Sequence, residues 1–319
     1  VMPALSEHSN NITLRDELFQ RIKHVYDHTD KESLSNEQRM LLQNTYDGFI
    51  RSGANLDEAG KERFRKISAE MSLLTLNFSQ NNLKETNAYE LVLTPEDLDG
   101  LPESTREAYA QNATERGKEG QYVVTLHAPS FVPFMKYSTR RDLRKQLYMA
   151  YNTQCTHDNE YNNVEIVKRL VNLRLERAQL LGFSTAADFV LTRRMAENSE
   201  NVYNLLDQLL KAYSPTAERE VAEVKALAQE LEGKDFELMP WDWAYYSEKL
   251  KVKKFDLDEE ALRPYFELSQ VIEGVFGLAT RLYGIAFAEN KNISTYHEDV
   301  KTYEVFDKDG KFLAVLYTD

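Results

Sequence analysis

The sequence predicts a mainly α protein, a multi-helix body with short β hairpins attached. Three observations predict it. Apolar residues recur at helical spacing over most of the chain, strand-like alternation is confined to short stretches, and the 12 glycines fall mostly at helix ends. With 319 residues, 42% of them hydrophobic, the chain can bury roughly three quarters of its unfolded surface. Neither a metal nor a disulfide is needed for stability.

The elements follow in order. "TLRDELFQRIKHVYDHT" spaces Leu14, Leu18, Ile22 and Val25 along one helix face, with Thr13 and Asp16 in an N-cap pattern. Ser35 and Gln38 stand at capping-box spacing before a second helix that stops at Gly53. Residues 57–86 read as one long helix with Phe64, Ile67, Met71, Leu74 and Phe78 on one side. Together these form one wall of a helical bundle.

Tyr89 to Leu93 then reads as a strand, followed by a turn at Pro95, Gly100 and Pro102, a helix over roughly 103–117 and a second strand over 120–129. This is a small β insertion near 89–126. Helices resume over 138–153, over 160–182 up to Gly182, and over 199–232, the longest. Pro264 breaks a helix begun near Asp258, and another runs over 269–283 to Gly284.

The chain closes on a hairpin. Tyr303 and Val305 alternate with Glu304 and Phe306, Gly310 suits the left-handed turn position, and Phe312 to Tyr317 is apolar nearly throughout. A strand apolar on both faces wants cover on both. The expectation is therefore that the chain is cut short of that cover, and that an exposed hairpin could pair between copies. Neither an internal repeat nor a Gly/Ser/Pro-rich linker divides the sequence. The expected organisation is a helical body over 1–283 and a hairpin region over 284–319.

Acidic residues outnumber basic ones, 52 against 39, for a net charge of −13. That balance argues against nucleic acid and anionic membrane surfaces as partners. The single cysteine, Cys155, excludes an internal disulfide and a thiolate metal cluster. No stretch approaches the ~20 apolar residues of a membrane span. The opening "VMPALSEHSNN" is neither a signal nor a transit peptide, so a cytoplasmic location is expected, with the periplasm open if the native N-terminus differs.

Candidate chemistry is sparse. His297-Glu298 opens as a zinc-helix motif does, but the second histidine position is Lys301, which cannot coordinate while protonated. His24 and His28 are at ligand spacing with Val25 where a base would stand; His127 and His157 are isolated. There is no G-x-S-x-G elbow, and Cys155 near His157 is adjacency without geometry. No catalytic and no metal-binding residue is assigned. "LMPWDWAYYSEKLK" stands out, with Trp241, Asp242, Tyr245 and Tyr246 close behind Pro240. It reads either as the lining of a peptide-binding cleft or as a helix–helix joint with Asp242 as an internal cap. Tyr303 and Val305 of the hairpin complete the cleft candidates.

Five blocks carry a resemblance: "FVPFMKYSTRRDLRKQLYMAYNTQ", "NLRLERAQLLGFSTAADFVL", "MPWDWAYYSEKL", "LDEEALRPYFELSQVIEGVFGLATRLYGIAF" and "YEVFDKDGKFLAVLYTD". In this order they resemble the thimet-oligopeptidase-like zinc metallopeptidases, in detail the bacterial peptidyl-dipeptidase (dipeptidyl carboxypeptidase) branch. The likeness extends over essentially the whole chain. It implies an almost all-helical ellipsoid with a deep channel that admits short peptides, and a hairpin belonging to a small sheet beside the active site. It also implies that H-E-x-x-H, the glutamate ligand and the groups that stabilise the tetrahedral intermediate lie beyond the hairpin. None has a match here. The expectation is an N-terminal portion that binds no catalytic zinc and is inactive alone, with short peptides and the missing C-terminal catalytic half as partners. The rival is a freestanding, non-catalytic helical peptide-binding module.

Overall fold

Helix α1 (Met2–Thr13) occupies residues from which the sequence reading drew no element, and α2 (Asp16–His28) follows after a break at Leu14-Arg15. Thr13 is not an N-cap: it closes α1, and its hydroxyl donates to the Ser9 carbonyl at 3.0 Å. The break lets Leu14 and Phe19 enter the core together. The structure is a computed structural model describing residues 2–256 and 259–319.

Helix α3 (Asn36–Arg51) starts on the expected capping box: the Gln38 amide donates to Ser35 Oγ at 3.2 Å and the Ser35 amide to Gln38 Oε1 at 3.0 Å. Gly53, at φ +86°, turns the chain away. Helix α4 (Glu58–Ala88) is capped by Asp57, which accepts from the Gly60 amide at 2.7 Å. It packs on α1 and on α8 (Val164–Leu180).

Strands β1 (Leu91–Leu93) and β2 (Tyr122–Val124) pair antiparallel, Leu91 opposite Val124, and enclose α5 (Glu103–Glu115). The sequence reading carried the second strand on to 129, but α6 (Ala128–Tyr137) begins there, with Pro129 in its first turn where the missing N–H costs nothing. Helix α7 (Arg141–Asn152) follows. The core collects here: Leu93, Tyr109, Val124, Phe134 and Leu147 are almost wholly buried, and Tyr109 donates to the Ser130 carbonyl at 2.7 Å. Gly100, at φ +81°, lies so close to the Tyr137 carbonyl oxygen that a Cβ would collide with backbone. Gly100→Ala is expected to destabilise the fold by about 2 kcal/mol or more, read as a lower urea midpoint with unchanged slope.

Helix α9 (Ala186–Leu191) leads into α10 (Ser199–Glu232), whose buried side chains are confined to Val224, Leu227 and Ala228 and which carries Pro215 internally. Helix α11 (Trp243–Phe255) spans the point where the chain divides into two compact units, Val1–Leu250 and Lys251–Asp319. That division falls earlier than the 283/284 boundary expected from sequence.

The second unit contains α12 (Glu259–Leu262), a 3-10 turn at Arg263–Tyr265, α13 (Leu268–Tyr283), β3 (Ala286–Glu289), β4 (Lys301–Phe306) and β5 (Phe312–Thr318). The start expected near Asp258 lies outside the described residues. Strand β3 was not foreseen; four residues with two alanines give little alternation to read. The sheet order is β3-β4-β5, all antiparallel. Phe276 of α13 stacks on Phe287 at 4.2 Å and meets the edge of Tyr303 at 5.0 Å, which fixes the helix on one sheet face. In the turn, Asp307 Oδ1 accepts from the Asp309 and Lys311 amides, and Gly310 sits at φ +78°. Among the described residues no helix is long and apolar enough to cross a membrane.

Candidate functional site

Residues 237–246 and the first turn of α7 form a buried polar arrangement in the first unit. Pro240 opens a short 3-10 turn, Pro240–Asp242, that runs into α11 and holds Asp242 completely buried. Arg141 reaches its carboxylate with Nε at 3.0 and 3.1 Å and Nη2 at 2.7 Å, while Arg144 Nη2 donates to Oδ1 at 3.0 Å. The Met239 amide adds a bond at 3.1 Å, so Asp242 is also an internal cap. Burial alone would push this carboxyl up; the hydrogen bonds from Arg141, Met239 and Arg144 outweigh it and hold it below the usual carboxylate range.

Each arginine has further work. Arg144, 1% exposed, donates to the Ser138 carbonyl at 2.6 Å and lies over the Tyr245 ring at 4.2 Å. Arg141 donates to the Glu237 carbonyl at 2.9 Å and covers Phe236 at 4.4 Å. Charge neutralisation and ring stacking therefore lock three segments, 138–144, 236–239 and 241–246, into one joint.

The aromatic candidates sit around that joint. Tyr245 and Tyr246 are buried and meet edge-to-face at 5.0 Å; Tyr246 donates to Glu232 at 2.9 Å. Burial, and then Glu232, raise the Tyr246 phenol above the ordinary tyrosine range. Trp241 is half-buried, meeting Tyr148 edge-on and lying under Lys145 at 4.9 Å. Tyr303 and Val305 belong to the second unit, inside its sheet beneath α13. Strand β4, which carries them, is paired on both sides, so a peptide adding by main-chain hydrogen bonds has only the outer edges of β5 or β3 to meet. Arg141 and Arg144 escaped the sequence reading: their partner lies about a hundred residues away, and a local pattern shows only a basic helix face.

The histidines do not converge. His24 and His28 stack at 4.1 Å, with His28 Nδ1 donating to the His24 carbonyl at 2.9 Å. His127 precedes α6, and His157 Nε2 meets Thr153 Oγ1 at 3.2 Å. His297 lies in a turn ahead of β4, 3.6 Å from Asp299, and Lys301 begins the strand; this segment is no helix. Among the described residues no three His, Cys, Asp or Glu side chains are placed to hold a metal ion. Cys155 is buried at φ +57° with Glu85 beside it, and burial followed by that carboxylate push its thiol up to about 11. A thiol so raised is a poor nucleophile at neutral pH.

Comparison with known proteins locates this scaffold. Residues 134–319 match peptidase family M3. Oligopeptidase A of Haemophilus influenzae is 34% identical over 323 residues, a match covering 100% of this chain and 47% of that protein. Dipeptidyl carboxypeptidase of Escherichia coli is 33% identical over 317 residues, covering 99% and 46%. A probable cytosolic oligopeptidase A of Arabidopsis thaliana is 32% identical over 311 residues, covering 95% and 44%. The chain spans about half the length of the curated relatives it matches.

Proposed function

This chain belongs to peptidase family M3, and from that premise we propose that it is the N-terminal portion of a zinc-dependent peptidyl-dipeptidase, which releases dipeptides from the C-terminus of short peptides. The observation that carries the proposal is the match of 134–319 to the family, across both the buried joint and the terminal sheet. A peptidase role is common ground among its relatives; the dipeptidyl specificity is the finer step, supported by the E. coli dipeptidyl carboxypeptidase. A cytoplasmic location finds support in the name of the Arabidopsis relative.

Members of this family are generally zinc-dependent, but the residues present here do not fit a catalytic zinc. The chain has no H-E-x-x-H, and its histidines are dispersed and partly committed to backbone. No step through zinc is assigned to this chain. Its part is mechanical: the Arg141–Asp242–Arg144 joint braces one wall of the substrate channel, and the free edge of β5 offers main-chain groups to an extended peptide. Within the first unit Trp241 packs on Tyr148 beside that joint, and within the second Tyr303 packs against Phe276 of α13. Zinc and the base that activates water come from the remainder of the protein.

The 319-residue chain is expected to hold no stoichiometric zinc by atomic absorption and to leave an oligopeptide uncut. One bound zinc per chain together with chelator-sensitive cleavage would overturn the proposal. Oligopeptidase A relatives at equal identity favour a second reading, cleavage at internal bonds. In the protein that joins this segment to an H-E-x-x-H segment, amidating the substrate C-terminus separates the two: dipeptide release should fall by at least about tenfold, whereas internal cleavage should persist.

A further inference from the structure

We propose that the cavity between α1, α4 and α8 is an oxyanion-binding site, taking a carboxylate or phosphate group on the guanidinium of Arg177. The cavity, about 550 Å³, is lined by the apolar Met2, Met71 and Leu76 and by serines and Thr75 of α1 and α4, with Asn10 and Arg177. The proposal stands apart from the peptidase reading.

Arg177 departs from the pattern of its surroundings. Along the seam of α4 and α8, Arg63 makes a two-point ion pair with Glu176, and Arg169 does so with Glu70. Arg177, further along α8, has no such carboxylate among the described residues. Its Nε is buried and lacks a hydrogen-bond partner there, and its contact is with the Phe189 ring, 5.5 Å from the guanidinium carbon. Arg51 lies over the same ring at 4.0 Å. Two cationic groups thus converge on one phenyl ring in a protein of net charge −13. Burial, and then Arg174, hold the Arg177 guanidinium below the ordinary arginine range, a cost that a bound anion would relieve.

The chemistry selects the ligand. Nε–H and the neighbouring Nη–H of an arginine form a fork that fits two oxygens of one carboxylate or phosphate. Serine and threonine hydroxyls can donate to the remaining oxygens, and the Asn10 amide offers two further donors. The volume admits an anion carrying a small organic group.

The test is a titration of the 319-residue chain with inorganic phosphate and, separately, sodium acetate, at constant ionic strength against sodium chloride. The readout is the arginine Nε–H resonances in ¹H–¹⁵N NMR. A saturable shift of the Arg177 signal is expected with phosphate or acetate, and which of the two saturates first assigns the ligand class. Isothermal titration calorimetry, which does not depend on the Arg177 signal, compares the variants: Arg177→Gln should weaken phosphate or acetate binding at least tenfold, while Arg174→Gln, which removes the same charge from the exposed face of α8, should leave it unchanged. A shift that is linear and equal with chloride overturns the proposal, as does equal loss in both variants. If Arg177→Gln does not fold, the wild-type titration decides alone.

Discussion

Replacing Asp242 with alanine is expected to lower the unfolding free energy of the first unit by about 3–5 kcal/mol, the cost of stranding a buried partner of an ion pair. Arg144, almost without solvent access, would lose its only carboxylate partner among the described residues, and Arg141 its two-point contact. Asp242→Asn keeps the shape and some hydrogen bonds but not the charge, so it should fall between wild type and alanine. Urea unfolding with matched slopes gives the ranking; an alanine variant within about 1 kcal/mol of wild type would show the joint to be ornamental.

The same carboxylate sets an acid limb. Its pKa is depressed in the folded state, so the stabilisation is fully present above the unfolded value near about 4 and is lost as pH falls through the folded value. Wild type should therefore lose stability below about pH 4 more steeply than Asp242→Asn. Parallel curves for the two proteins would assign acid sensitivity to other carboxylates.

The second large effect concerns β5. Leu313, Val315 and Tyr317 point to the sheet face opposite Tyr303 and Val305, and are 52%, 39% and 44% exposed. An apolar outer strand with a free edge is a template for pairing between copies. The chain is expected to associate with rising concentration, and Leu313→Lys with Val315→Lys to weaken that association by at least about tenfold, a step of about 1.4 kcal/mol. Sedimentation velocity over a hundredfold range of concentration reads both. Identical, concentration-independent sedimentation of the two proteins would remove β5 as the cause.

How much of this was legible in the sequence depends on how far apart the interacting residues lie. The capping box at Ser35 and Gln38 spans four residues, and its two bonds are present as spelled. The β1–β2 ribbon was legible because prolines and a glycine punctuate it. Helix α6 was missed because Pro129 and Pro133 look like breakers; a proline in the first turn instead starts a helix, and Pro133 is borne within it. Helix α1 was missed because it has no strong apolar face, its one buried residue being Asn10.

The candidate site divides the same way. "PWDWAYY" was conspicuous by composition, and the internal cap at Asp242 follows from its spacing to Met239. What the stretch does was hidden, because it is decided by two arginines on α7 that no local rule connects to it. That His297-Glu298 is no zinc helix was readable from one lysine.

Helix α10 carries a mechanical consequence. Its 34 residues make a rod of about 51 Å, yet its buried anchors lie near one end, at Val224, Leu227 and Ala228. Pro215 removes a rung of the ladder about midway. Such a rod is a beam clamped at one end and notched at its centre, so its compliance accumulates towards Ser199. A molecule resting on the outward leucines Leu206 and Leu210 would press on a spring, not on a fixed wall.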